Sequence, residues 1–160
     1  MKLNNKISPC LWFDDKAEDA ATYYCKLFKN SKINHVSRWQ EGGPRKAGLA
    51  LMVDFELDGL AIKALNGGPE YKLSPAFSLS VSCEDQDEID RLWAKLVDGG
   101  KESQCGWLDD RFGVSWQIVP AVLETLMSDK NPVKVQAVMQ AFMGMVKFDI
   151  RALQKAYDKA

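Results

Sequence analysis

The side chains able to do acid–base, nucleophilic or metal chemistry are few in this chain, and they are scattered. There is one histidine, His35, and the four cysteines are Cys10, Cys25, Cys83 and Cys105. No Cys-x-x-Cys pair occurs, so the spacing of a structural zinc site is missing. A two-histidine metal site within one chain is excluded. A nucleophilic cysteine needs a nearby base or a positive setting to lower its pKa. Cys105 stands between Gln104 and Gly106, near a predicted sheet rim, and nothing in the sequence brings the lone imidazole to it. The inert thiol is therefore the preferred reading. Asp109, Asp110 and Arg111 offer an acid pair beside a cation, but they fall in a predicted hairpin turn, where Asp side chains bond nearby backbone N–H groups. Asp14 and Asp15 read in the same way as helix caps.

Residues suited to binding are more plentiful than residues suited to catalysis. Gln117 could orient a ligand through an amide donor and acceptor, or be satisfied by a neighbouring strand or water. It shares a predicted inward face with Ser115 and Val119, while Val114, Trp116 and Ile118 face a helix layer. Ser78, Ser80 and Ser82 could supply small polar contacts or simply form a wet sheet face. Lys63 could hold an anionic ligand or face solvent. Trp39 and Trp107 could stack on a planar ligand in an apolar pocket, or be ordinary sheet residues. Trp12, Trp93 and Trp116 read as core. The candidate ligand-binding set is thus Trp39, Lys63, Ser78, Ser80, Cys105, Trp107, Ser115 and Gln117, with no metal ligand and no cofactor site.

The elements that must position these residues are written twice. An apolar run at 8–13 leads through Asp14-Asp15 into an amphipathic helix over 17–28. Another at 77–83 leads through Glu84-Asp85 into a helix over 88–97. The two copies align at one offset, Leu96 on Leu27 (96 − 27 = 69), with Trp93 on Tyr24 and Ile89 on Ala20. Such duplication predicts two similar halves with a site between them. Strands are expected at 7–13, 32–40, 48–57 and 60–65, with Asp58-Gly59 as a tight hairpin turn. The second half repeats the plan at 76–82, 101–108 and 114–119, and its hairpin aligns with Gln117 on Lys63 (117 − 63 = 54). The expected fold is α+β: two β-α-β-β-β modules, 1–69 and 70–120, forming a curved mixed-sheet cup, with a C-terminal helical extension at 121–160, all as one structural domain. In that extension Val135, Val138, Met139, Phe142 and Met145 form a stripe suited to core or subunit contact.

Composition narrows the partners. Net charge is −1, from 21 basic and 22 acidic residues, and no basic run with interleaved aromatics occurs. Nothing electrostatic recommends nucleic acid or an anionic membrane. No segment approaches the ~20 apolar residues of a membrane span, and the first residues do not read as a signal peptide. A cytoplasmic protein with free thiols is expected.

Three stretches carry a family likeness: 9–21 (Pro-Cys-Leu-Trp-Phe-Asp-Asp-Lys-Ala-Glu-Asp-Ala-Ala), 64–69 (Ala-Leu-Asn-Gly-Gly-Pro) and 104–120, which ends Asp-Asp-Arg-Phe-Gly-Val-Ser-Trp-Gln-Ile-Val-Pro. With Lys147-Phe-Asp-Ile150 near the end, they resemble the PhnB-like family, often labelled 3-demethylubiquinone-9 3-methyltransferase. That family belongs to the vicinal oxygen chelate superfamily, with glyoxalase I and bleomycin-resistance proteins. The resemblance implies a ligand-holding cup and a homodimer. Metal-dependent members of the superfamily place ligands on the first and last strands of each half. Here those slots fall near Ile7, Lys63, Ala76 and Gln117, a set unsuited to a divalent ion. The expectation is a small-molecule-binding protein without metal chemistry. The alternative is an enzyme on the same scaffold, such as the methyl transfer in the family label, although Asn66-Gly67-Gly68-Pro69 opens no helix and reads as a turn rather than a nucleotide loop.

Overall fold

Asp58 and Gly59 both take positive φ, 46° and 81°, as a two-residue hairpin turn requires. They join β3 (Ala50–Leu57) to β4 (Leu60–Asn66). The computed structural model describes residues 6–160, and the chain forms two compact units, Met1–Leu73 and Ser74–Ala160.

In the first unit, β1 (Cys10–Phe13), α1 (Ala17–Leu27) and β2 (Lys32–Arg38) precede that hairpin. Its four strands are ordered β1-β4-β3-β2. The β1–β4 pair is parallel and the other two pairs are antiparallel. Leu11, Phe13, Val53, Phe55, Ile62 and Ala64 are buried on one face, as are Ala17, Ala20, Ala21 and Tyr24 of α1. Three alanines on one helix stripe let the helix settle close to the sheet.

The second unit repeats this topology. It comprises β5 (Ser78–Cys83), α2 (Gln86–Val97), β6 (Lys101–Glu102), β7 (Trp107–Asp109) and β8 (Ser115–Pro120). The strand order is β5-β8-β7-β6, again with one parallel pair. The buried positions Leu79, Leu108, Trp116 and Ile118 share a core with Ile89, Leu92, Trp93 and Leu96 of α2. Asp110 is buried in the turn after β7. Its carboxylate accepts from the N–H groups of Phe112 and Val114 at 2.8 and 3.0 Å and from the Trp116 indole at 2.9 Å. Asp110 therefore belongs to the turn, while Asp109 is the last residue of β7.

Several expectations need correction. β1 begins at Cys10, and Ile7 is exposed outside it. Cys10 pairs with Lys63 and Ser80 with Gln117, so the strand copies align at 80 − 10 = 70 while the helices keep 69. One additional residue in the first β–α link absorbs the difference. Neither Asp14 nor Asp15 caps α1. Its N-cap position is Lys16, without a side-chain cap, and the Ala17 N–H donates instead to Asn66 Oδ1 at 2.9 Å. Trp12 lies on the face away from α1, because Leu11 and Phe13 take the buried positions on either side of it.

Beyond the repeat come α3 (Ala121–Met127), α4 (Pro132–Met143) and α5 (Ile150–Lys159). The predicted stripe is only partly covered: Val138 is buried, Val135 and Phe142 are half-buried, Met139 is exposed, and Met145 falls past the end of α4. The segment after α4 is tied to the second unit's hairpin. The N–H groups of Cys105 and Gly106 donate to the carbonyls of Met145 and Val146 at 2.8 and 2.7 Å. Gln86 brackets the same segment, donating to Phe148 O at 3.0 Å and accepting from the Ile150 N–H at 2.9 Å. A Cβ on Gly106 would lie 2.4 Å from the Phe148 ring, and Gly106 has φ 78°. Only glycine fits there.

Two outcomes follow from these ties. Asn66 is fully buried and also donates to Ala50 O at 2.8 Å. Asn66→Ala should cost about 2–3 kcal/mol in urea unfolding, since it strands a buried donor and a buried acceptor; a change below about 0.5 kcal/mol would refute that role. Lys147 holds the Asp90 carboxyl below its ordinary value, and the Tyr157 hydroxyl does the same for Asp129. Both contributions are present above the ordinary carboxylate pKa and are lost as pH falls through the lower folded values. Proteolysis of the helical tail should thus stay constant from neutral pH down to about 5 and accelerate below about 4.

Candidate functional site

Each sheet has one face under its helix and one face free of it, and cross-strand register sorts the free faces into rows. In the first unit Cys10, Lys63, Asp54 and His35 are successive partners across β1, β4, β3 and β2. The next row is Trp12, Leu65, Met52 and Ser37. Lys63 Nζ sits 2.7 Å from Asp54 Oδ1, and both side chains are largely shielded from solvent. Lys63 is therefore already paired with a carboxylate rather than offering an open anion site.

Trp12 is the residue of this face that sequence reasoning placed elsewhere. Its indole N–H donates to Gly68 O at 2.8 Å, and the Tyr71 ring meets it edge-on at 5.0 Å. A Cβ on Gly67 would lie 2.3 Å from the indole. The glycine pair 67–68 is thus a seat for a tryptophan. Trp39 lies just past β2, exchanging backbone hydrogen bonds with Leu49 and Gly48 at 2.9 Å. Its Nε1 is buried without a partner among the described residues.

The second unit's free face collects five of the eight predicted residues. Ser80, Gln117 and Trp107 form one row, and Ser78, Ser115, Asp109 and Lys101 form the next. Gln117 Nε2 donates to Ser78 Oγ at 2.9 Å. The Ser115 hydroxyl donates to Asp109 Oδ1 at 2.5 Å. Ser115 is thereby consumed as a buried structural group, while Gln117 and Trp107 are half-buried. Cys105 stands apart in the loop before β7, with φ 56° and its N–H spent on Met145.

The register also corrects the strand partners of Lys63 and Gln117, which are Cys10 in one unit and Ser80 in the other, not Ile7 and Ala76. A lysine ammonium repels a cation, and a hydroxyl and a neutral amide are weak ligands. Among the described residues no group of three His, Cys, Asp or Glu side chains is placed to hold a metal ion. The donor set does not fit one.

Comparison with known proteins agrees with this geometry at the level of family and fold. The family described as 3-demethylubiquinone-9 3-methyltransferase matches residues 5–119, which leaves α3, α4 and α5 outside the match. A Bacillus cereus PhnB protein, provisionally described by the same activity, is 36% identical over 73% of this chain and 100% of its own, with a TM-score of 0.69. A Pseudomonas aeruginosa protein is 20% identical over 73% of this chain and 98% of its own, with a TM-score of 0.61. A fosfomycin resistance protein, FosX from Listeria monocytogenes, shares the fold at 13% identity over 80% of this chain and 100% of its own, with a TM-score of 0.53. No curated protein matches the chain.

The cysteines provide a check on this site. Partial burial raises the Cys10 thiol above its ordinary value, with Lys63 pulling it down and Asp54 pushing it up. Burial, with Glu88 adding to it and Arg91 opposing, leaves Cys83 pushed up to about 12. Iodoacetamide at pH 8 should therefore label Cys10 slowly and leave Cys83 untouched in the native state. Lys63→Met should slow Cys10 labelling and Asp54→Asn should speed it; equal rates in both variants would contradict the row.

Proposed function

Because this chain belongs to the 3-demethylubiquinone-9 3-methyltransferase family and has its PhnB-like, vicinal oxygen chelate scaffold, we propose that it binds a small organic molecule on the free sheet face of its second unit, without metal chemistry. The observation that carries this reading is the row Ser80–Gln117–Trp107. It sets an amide beside an indole on a rigid sheet, and Ser78 holds the amide by one N–H. A few oriented polar groups next to an aromatic wall are what a small-molecule site requires. In this reading the protein works in the cytoplasm as a homodimer. No helix of the described residues is long and apolar enough to cross a membrane. Light scattering that gives only monomer mass at all concentrations would remove the dimer.

Thermal-shift screening of aromatic compounds tests the site. A ligand at a hundredfold excess over its Kd should stabilise the chain by about 2.7 kcal/mol, or roughly 5–10 °C at this size. Trp107→Ala and Gln117→Leu should each abolish the shift. If no compound shifts melting, or if the shifts persist in both variants, the reading fails. The family description itself favours a second reading, methyl transfer. Saturable heat on titration with S-adenosylmethionine would support it, and no heat at millimolar donor would remove it.

A further inference from the structure

We propose that the ligand of the second unit is an uncharged planar molecule that presents an H–N–C=O edge, such as a lactam or aromatic carboxamide, to Gln117. This inference rests on the site reading above and names its ligand class.

The argument is one of unspent hydrogen-bonding capacity. A glutamine side chain has two N–H donors and one carbonyl oxygen with two lone pairs. Gln117 spends one N–H, on Ser78 Oγ. With Ser78 on the N–H anti to Oε1, the remaining N–H and Oε1 lie side by side in the amide plane, and neither has a hydrogen-bond partner among the described residues. That pair is complementary to another amide in a two-point ring, where N–H meets O and O meets N–H. A carboxylate would set an oxygen against Oε1 with no proton between them. An ammonium ion could use Oε1 but would meet the N–H with another donor. Neither ion matches both points.

The surroundings agree with a neutral occupant. Ser80, Gln117 and Trp107 carry no formal charge, and neither do Ser82 and Val119, the pair on the other side of Gln117. Charges on this face enter one row away, as Asp109 and Lys101. The Asp109 carboxylate is occupied by the Ser115 hydroxyl. Within the row of Gln117 an anion would find no cation, and a cation no carboxylate. Trp107 is the direct cross-strand partner of Gln117, so directly opposed side chains begin only about 5 Å apart. A ring fused or attached to the amide edge can therefore lie against the indole.

Benzamide, benzoate and benzylammonium are probes of nearly equal shape that differ in charge and edge. Each is titrated into the full isotopically labelled chain while the Gln117 side-chain NH2 and Trp107 indole N–H signals are followed by NMR. Benzamide should move both signals saturably at millimolar concentration, with the two ions at least tenfold weaker. Gln117→Glu should reverse the order in favour of benzylammonium, and Ser78→Ala should retain the benzamide preference. If benzoate or benzylammonium moves the same two signals as strongly as benzamide, the ligand class is wrong while the site stands. If no probe moves them, and Trp107→Ala leaves every screening hit intact, both the class and the site fail.

Discussion

One buried amide holds the helix of the first unit to its sheet. Asn66 closes β4, accepts from the first N–H of α1 and donates to the first carbonyl of β3. A helix start has unpaired N–H groups that must find acceptors, and here the acceptor comes from the sheet on which the helix packs. Capping and docking are thus one interaction. The glycines that follow are held to β1, with the Gly67 N–H donating to Phe13 O at 2.9 Å and the Trp12 indole resting on Gly67.

The second copy solves the same problem differently. Its position equivalent to Asn66 is Pro120 (120 − 66 = 54), opposite Cys83 as Asn66 is opposite Phe13. Proline has no side-chain acceptor, and α2 is capped locally by Asp85, whose carboxylate accepts from the Glu88 N–H at 2.8 Å. The Glu88 carboxylate in turn accepts from the Glu84 N–H at 2.9 Å, one residue before the N-cap N–H that a capping box uses. The two free faces have diverged as well. One carries an ammonium–carboxylate pair in the row of Lys63, and the other carries an uncharged amide in the matching row of Gln117, with Asp109 and Lys101 one row away.

What could be read from the sequence was what local chemistry decides. Asp58-Gly59 specifies its own turn, and the alternation at 78–82 separates Ser80 from Leu79 without reference to any partner strand. Gln117 was legible for the same reason. What escaped depends on distant contacts. Leu11, Trp12 and Phe13 form an unbroken apolar run in which the period of two is invisible, so Trp12 read as core. The single shared offset failed because one residue added before α1 shifts strands against helices. That shift appears only when Cys10 is seen opposite Lys63. Asn66 read as part of a turn, since nothing nearby in sequence reveals that its amide reaches a helix 49 residues away. The stripe on α4 had the right period, yet the packing of α4 leaves Met139 outside.

The seating of Phe148 against Gly106 has an evolutionary corollary. The Phe148 ring closes position 106 to larger side chains, but so do the Ile118 carbonyl, 2.8 Å from the same Cβ position, and the positive φ. A lineage that lost the terminal extension would therefore still be held to glycine at 106, whereas one that keeps it finds a glycine-shaped seat for its aromatic already in place.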